Sequence, residues 1–207
     1  MSKLIPLIAE AGVSAVANPL INITLQGRHD SYPKRRGMTR VPELMAAGVT
    51  VAFGHDCVMD PWYSLGSGDM LEGAHMGLHV AQMTSQAGMR QCFDAVTVNA
   101  AKVMGLAGYG IEAGQDASFV LLQARDPIEA IRLRATRLKV WRKGQLLAET
   151  PPSQAALSLA GRPAVATFMP VRGLAPRALP PEWSRPGAGC PPSCRRWRIC
   201  PSPTVRP

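Results

Sequence analysis

The stretch from Val49 to Trp62, V-T-V-A-F-G-H-D-C-V-M-D-P-W, limits what this chain can fold into more than any other part of it. Apolar residues run straight into Gly54, then His55 and Asp56, then a loop that carries Asp60, Pro61 and Trp62. A short buried strand that stops at a glycine and presents an acid at its C-terminal end is how an α/β barrel brings a reactive side chain to its mouth. The stretch therefore predicts an α/β fold with Asp56 as the candidate site acid. The competing reading of Asp56 is a carboxylate that caps a loop, and Trp62 can equally be a packing residue.

Residues 2–12 place Leu4, Ile5, Leu7, Ile8 and Ala11 on one side of a predicted helix. Ser2 is its expected N-cap, Gly12 its stop, and Pro6 falls in the first turn. Val13–Asn18 alternates like a strand, and Pro19 ends it. Residues 20–38 read as a long polar connection, in which Arg28, Lys34, Arg35 and Arg36 form either a solvated rim or a wall over the barrel mouth. A helix over 39–47, stopped by Gly48, leads into the strand at 49–53. Asp69 and Glu72 have capping-box spacing and open a helix to about Thr84. Gly73 inside it costs on the order of 1 kcal/mol relative to Ala. His75 and His79 share a face of that helix but lack the Glu of an H-E-x-x-H metal motif, which favours packing or solvation. Helical pieces follow at 90–98 and 99–106. The period then changes to two, with strands at 117–123, 138–142 and 146–149, a tight turn at Lys143-Gly144-Gln145, and a short helix at 127–134.

Charge and cysteine usage exclude several classes. The net charge of +9 invites a nucleic-acid reading, but residues 164–207 carry seven Arg against one Glu, and the body is close to neutral. No aromatic-interleaved platform accompanies the basic tail, so nucleic acid is not the expected partner, and polyanion binding through the tail is the alternative. No apolar run approaches the roughly 20 residues that span a membrane, and Met1-Ser2-Lys3-Leu4 opens no secretory signal layout. A cytoplasmic protein without membrane contact is expected. Five Cys, an odd number, do not suggest a disulfide framework, and C-x3-C-x5-C in the tail has no nearby His for a zinc knuckle. The H-x-E with P-C-x-x-C signature of small zinc nucleobase deaminases is absent. From residue 164 onward, ten Pro and little apolar periodicity predict a segment unable to bury enough surface to fold.

Several segments taken in order resemble a known family: N-P-L-I-N-I-T-L-Q-G-R at 18–28, Y-P-K-R-R-G at 32–37, F-G-H-D at 53–56, D-P-W-Y at 60–63, H-M-G-L-H-V at 75–80 and G-Y-G-I-E-A-G-Q-D-A-S-F-V-L-L at 108–122. Over residues 2–155 the chain looks like the amidohydrolase superfamily, nearest to its bacterial cytosine deaminases. The resemblance implies that Val13–Asn18 and Val49–Phe53 are the last two strands of a (β/α)8 TIM-type barrel. Residues 1–107 would then be the last βα units of that barrel, 108–155 the C-terminal part of a small flanking β-sandwich, and 156–207 a disordered Pro/Arg-rich tail. It also implies one divalent metal ion, iron or zinc, held by an H-x-H pair on the first strand, a fifth-strand His and the eighth-strand Asp. By motif match that Asp is Asp56, which would be both metal ligand and catalytic proton carrier, with Trp62 near the ring of cytosine or a related nucleobase. Cys57 stands where some relatives carry a second Asp facing the substrate.

No H-x-H occurs here, and the four His are His29, His55, His75 and His79. A single carboxylate holds a transition metal poorly. The chain is therefore expected to be a C-terminal portion, inactive by itself, with open strand edges and uncovered apolar faces. Pairing with a separate N-terminal half, or self-association, is the alternative use of those edges.

Overall fold

Two glycines at positive φ, Gly12 (+64°) and Gly48 (+83°), end two helices in the same way and feed two strands that lie side by side. In helix α1 (Leu4–Glu10) the Gly12 N–H reaches the Ala9 carbonyl at 3.1 Å and the Val13 N–H reaches Ile8 at 3.2 Å. Helix α2 (Pro19–Leu25) intervenes, and α3 (Val41–Ala46) then closes with Gly48 on Met45 and Val49 on Leu44, both at 3.0 Å. Both ends are Schellman motifs, in which the glycine adopts the left-handed turn that a Cβ would resist. Strands β1 (Ala15–Ala17) and β2 (Val51–Phe53) pair in parallel, Val16 opposite Ala52.

The computed structural model describes residues 3–162 and 164–166. After β2, helices α4 (Met70–Val80), α5 (Gln86–Ala95) and α6 (Val98–Val103) precede an antiparallel sheet of β3 (Phe119–Leu122), β4 (Arg137–Arg142) and β5 (Gln145–Glu149), with α7 (Pro127–Leu133) between β3 and β4. Lys143 and Gly144 join β4 to β5, both at positive φ (+49° and +80°), the geometry that a two-residue hairpin loop requires. No helix among the described residues is long and apolar enough to cross a membrane.

The mixed α/β reading holds, and several boundaries shift. Helix α4 ends at Val80 rather than near Thr84, because Gln82 takes a left-handed φ of +55° and Met83 N–H turns back to Leu78 O at 2.8 Å. The connection expected at 20–38 is helical in its first part. Pro19 starts α2 instead of merely ending a strand, since its fixed φ suits the first helical turn and its missing N–H is not needed there. Leu20 and Ile21 are buried by that helix.

The core gathers Ala17, Val41, Leu44, Val51, Phe53, Leu71, Leu78, Cys92, Ala130 and Ile131. Gly77 lets α4 lie directly on β2, because a Cβ there would sit 2.5 Å from the Phe53 ring. Residues 1–152 cluster as one unit, and the second begins at Ser153. The boundary expected at 107/108 separates the two sheets but not the core, since Ala130 and Ile131 of α7 belong to the cluster that α4 and α5 build. Within the tail expected to lack order from 156, β6 (Ala155–Ala156) pairs with β7 (Val165–Ala166). Residues 167–207, including the Arg-rich stretch and its three Cys, lie outside the described residues.

Candidate functional site

Parallel strands β1 and β2 end level with one another, and the residues just beyond them meet. Asn18 follows β1 and donates from Nδ2 to Asp56 Oδ2 at 3.3 Å. Gly54 makes the crossing possible, because a Cβ there would lie 2.2 Å from Asn18 Oδ1 and 3.2 Å from Val16 Cγ1. Asp56 itself has a left-handed φ of +67°. That conformation is several-fold enriched for Asp and Asn yet uncommon for any non-glycine residue. Its carboxylate is exposed, with the Cys57 Sγ 3.6 Å from Oδ1.

His55 serves the backbone of this turn. Its Nδ1 lies 3.0 Å from the Cys57 carbonyl oxygen, which only accepts, so Nδ1 carries the proton. The ring is buried at 7% exposure, tilted against Tyr63, with Nε2 3.7 Å from Glu72 Oε2 and no hydrogen-bond partner. Gly66 at φ +89° leaves room for it, since a Cβ there would fall 2.4 Å from His55 Cε1. Glu72 does not complete the expected capping box. Asp69 caps α4 by accepting from Leu71 N–H at 2.8 Å, while Glu72 takes the Ser67 hydroxyl at 2.8 Å.

The loop beyond is tied by Asp60. Its Oδ1 accepts from Trp62 N–H and Tyr63 N–H, both at 2.9 Å. Those backbone bonds, led by Tyr63, hold the Asp60 carboxyl below the usual range. The hydrogen bond to Asp60 and burial together push the Cys57 thiol up to about 11, so it is neutral at pH 7. Tyr63 is buried with Leu20 and Ile21, whereas Trp62 is 71% exposed. The indole is thus presented to solvent rather than used for packing.

The sequence reading singled out Asp56 and Trp62 but not Asn18. Its signal was available: Asn18 closes the first strand as Asp56 closes the second, and parallel pairing brings the two ends together. His75 and His79 are four apart on α4 with ring centroids 4.6 Å apart. Each Nδ1 faces a backbone carbonyl, of Ile131 at 3.2 Å and of His75 at 2.7 Å, so His75 fastens α4 to α7 while His79 bonds back within α4. In the 26–37 loop Arg35 forks onto Asp30 at 2.6 and 2.7 Å, a local solvated pair. A cavity of about 410 Å³ lies elsewhere, between α4, α5 and β3, lined by Met70, Phe93, Tyr109, Phe119 and Arg137 among others and by no residue of 54–66.

A metal at Asp56 needs several of these donors on one ion. Among the described residues no three His, Cys, Asp or Glu side chains converge on one point. His55 spends one nitrogen on Cys57 and buries the other beside Glu72. The residues present therefore do not fit a metal site by themselves.

A mixed α/β chain with a side-chain pair at the carboxyl ends of adjacent parallel strands has the layout of an enzyme active-site edge. The family pattern matching residues 1–148 is that of the amidohydrolase family, and the chain belongs to that family. It is 33% identical over 150 residues to the pterin deaminase of Rhizobium rhizogenes (strain K84 / ATCC BAA-868), covering 72% of this chain and 34% of that protein. It is 39% identical to the 5-methylcytosine deaminase of Klebsiella pneumoniae, solved with 5-fluorocytosine, with a TM-score of 0.71 over 73% of this chain and 37% of that one. Atrazine chlorohydrolase TrzN from Arthrobacter aurescens TC1, solved with zinc, shares the fold at 20% identity and a TM-score of 0.55. The chain spans about a third of the length of these relatives.

Proposed function

We propose that this chain supplies one edge of the active site of a deaminase acting on cytosine, 5-methylcytosine or a related ring-nitrogen base. The observation that carries the reading is the Asn18–Asp56 pair at the ends of two parallel strands. Support comes from the 39% identity to a 5-methylcytosine deaminase. On this reading the two strands are the last of a (β/α)8 barrel, and the metal, iron or zinc, requires ligands from a further segment.

Hydrolytic deamination adds water to the ring carbon bearing the amino group, then breaks that C–N bond and releases ammonia. The first step needs a base for the water proton and the second needs an acid for the departing nitrogen. An exposed carboxylate fixed by the Asn18 amide can do both in turn. Asn18 donates to Oδ2 and leaves lone pairs free on both oxygens. Trp62 offers a flat apolar face for the base. Cys57, neutral beside Asp56, brings no charge to the ring.

Grafting residues 3–152 in place of the corresponding third of the Klebsiella enzyme tests the site within one polypeptide. The graft is expected to deaminate 5-methylcytosine or cytosine. Asp56→Ala should slow it about 10²–10⁴-fold, while Trp62→Ala should act mainly on KM. The 207-residue chain alone should show no turnover. A graft whose Asp56→Ala variant keeps full rate removes Asp56 from the chemistry, and robust turnover by the chain alone overturns the need for further ligands.

A further inference from the structure

Helix α4 carries two imidazoles whose remaining nitrogens the fold does not use. His75 and His79 lie one turn apart, and each turns its Nδ1 to a backbone carbonyl, of Ile131 at 3.2 Å and of His75 at 2.7 Å. A carbonyl only accepts, so both Nδ1 atoms hold the proton and both Nε2 atoms keep a lone pair. Neither Nε2 has a hydrogen-bond partner among the described residues. Anchoring one ring N–H on a carbonyl is how proteins fix the tautomer and orientation of a histidine that binds metal through its other nitrogen. His79 is exposed and His75 half-buried, so water and ions reach the pair.

The two rings have centroids 4.6 Å apart and planes inclined at 53°. With metal–nitrogen bonds of about 2.1 Å, two imidazoles bound at a right angle place their centroids about 4.5 Å apart, against about 5.2 Å at the tetrahedral angle. The observed spacing fits the right angle, which suits tetragonal Cu²⁺ or Ni²⁺ better than tetrahedral zinc. His79 lies in the last turn of α4, where the unpaired helix carbonyls favour a cation. Burial holds the His75 imidazole below its usual pKa, which keeps it neutral and able to ligate at pH 7. Arg134, just beyond α7, is a positive charge close enough to act on His75. It sets the affinity for any cation below that of a site with acidic neighbours.

We infer that His75 and His79 form a two-nitrogen clamp on α4 for a divalent transition ion of tetragonal preference, Cu²⁺ or Ni²⁺. Each Nε2 replaces one water of the hydrated ion, and water keeps the remaining positions. Two protein ligands therefore suffice where no third His, Cys, Asp or Glu converges. The clamp is independent of the deaminase reading, because it uses no residue of 54–66 and is separate from the ion expected at Asp56. The competing account of the pair is a tilted contact between two solvated rings.

Thiols are the main competing ligands, so the 207-residue chain is first blocked with iodoacetamide and then titrated with Ni²⁺ by calorimetry. One ion per chain is expected. Losing a ligand costs more than losing its outer partner, so His79→Gln should weaken binding more than about tenfold. Its circular dichroism should be unaltered, since the hydrogen bond it gives up lies within α4. His75→Gln should weaken binding as much; because it also releases the Ile131 carbonyl of α7, His79→Gln decides if that variant misfolds. His29→Gln removes an exposed imidazole of the 26–37 loop and should leave the affinity unchanged. Cu²⁺ added at one equivalent should give a paramagnetic resonance spectrum split by two nitrogens. No saturable binding, an affinity indifferent to His79→Gln, or a copper spectrum split by a single nitrogen overturns the inference. So does an equal loss in His29→Gln, which would mean imidazoles binding ions one at a time.

Discussion

Side chains that sequence spacing cannot bring together decide the geometry at the residue scale. Gly54 and Asn18 lie 36 positions apart, and Gly77 and Phe53 lie 24 apart, yet each pair sits at a distance that excludes a Cβ. Helix α4 contains two glycines with opposite consequences. An Ala at 77 would meet the Phe53 ring at 2.5 Å, and that ring is 2% exposed and has nowhere to go. Gly77→Ala should therefore destabilise the chain by about 1–3 kcal/mol through overpacking. At Gly73 an added Cβ finds only Met70 Cε at 3.7 Å and the Gly54 carbonyl at 3.8 Å, ordinary contacts. Gly73→Ala should thus stabilise by about 0.5–1 kcal/mol, the ordinary gain from replacing glycine inside a helix. Urea unfolding of the two variants separates these opposite signs. From sequence Gly73 looked like the defect and Gly77 like nothing, because propensity is local and the Phe53 contact is not. Gly54 and Asp56 were legible for the converse reason: a glycine and an acid at the end of an apolar run are a local pattern.

Ends and fastenings matter more at the element scale than interiors do. The hairpin β4–β5 and the start of α4 were readable from Lys143-Gly144 and Asp69, since turn and cap chemistry acts over a few residues. Helix α2 was not, because Pro serves equally to stop a strand and to open a helix, and only the burial of Leu20 and Ile21 decides. The capping aspartate of α4 has a second task invisible in sequence: its carboxylate is paired with Arg137 of β4, whose Nη1 donates to Oδ2 at 3.1 Å. Asp69→Ala loses cap and cross-link together and should cost about 1–3 kcal/mol, whereas Asp69→Asn keeps the cap and loses mainly the charge. On α7, Glu129 is buried and accepts from Arg125 N–H at 2.9 Å and from its guanidinium at 3.1 Å, with Arg132 3.5 Å away. The Arg125 side chain, then its N–H, holds the Glu129 carboxyl below the usual carboxylate range. A depressed carboxylate stabilises the fold above its unfolded pKa of about 4.3, and that contribution disappears as pH falls through the lower folded value. Glu129→Gln should lower stability at pH 7 by about 1–2 kcal/mol, because the guanidinium groups stay half in water. The deficit should shrink progressively below pH 4 in thermal melts; a deficit constant from pH 7 to pH 3 would show that the charge is irrelevant.

For the molecule as a whole, the sequence suggests a division at 107/108 because the apolar period changes there from helical to strand-like. Period, however, reports only how a segment turns, and says nothing of which core it enters. Helix α7 lies within the β-rich half, yet Ile131 is completely buried among residues of the helical half, and its carbonyl receives His75 Nδ1 from α4. Burial holds the His75 imidazole below its usual pKa, so the neutral ring that makes this bond persists at pH 7. Two segments that share a core and a polar cross-link should unfold together. Ile131→Ala removes the largest fully buried side chain and should cost about 2–5 kcal/mol. Its effect should appear equally in the signal of Trp141, on β4, and in amide exchange of β2, even though one lies in the β-rich half and the other in the helical half. Loss of structure in β4 and β5 at a temperature that leaves β2 protected would mean that the period change does mark a domain boundary, and that α7 merely rests against the helical half.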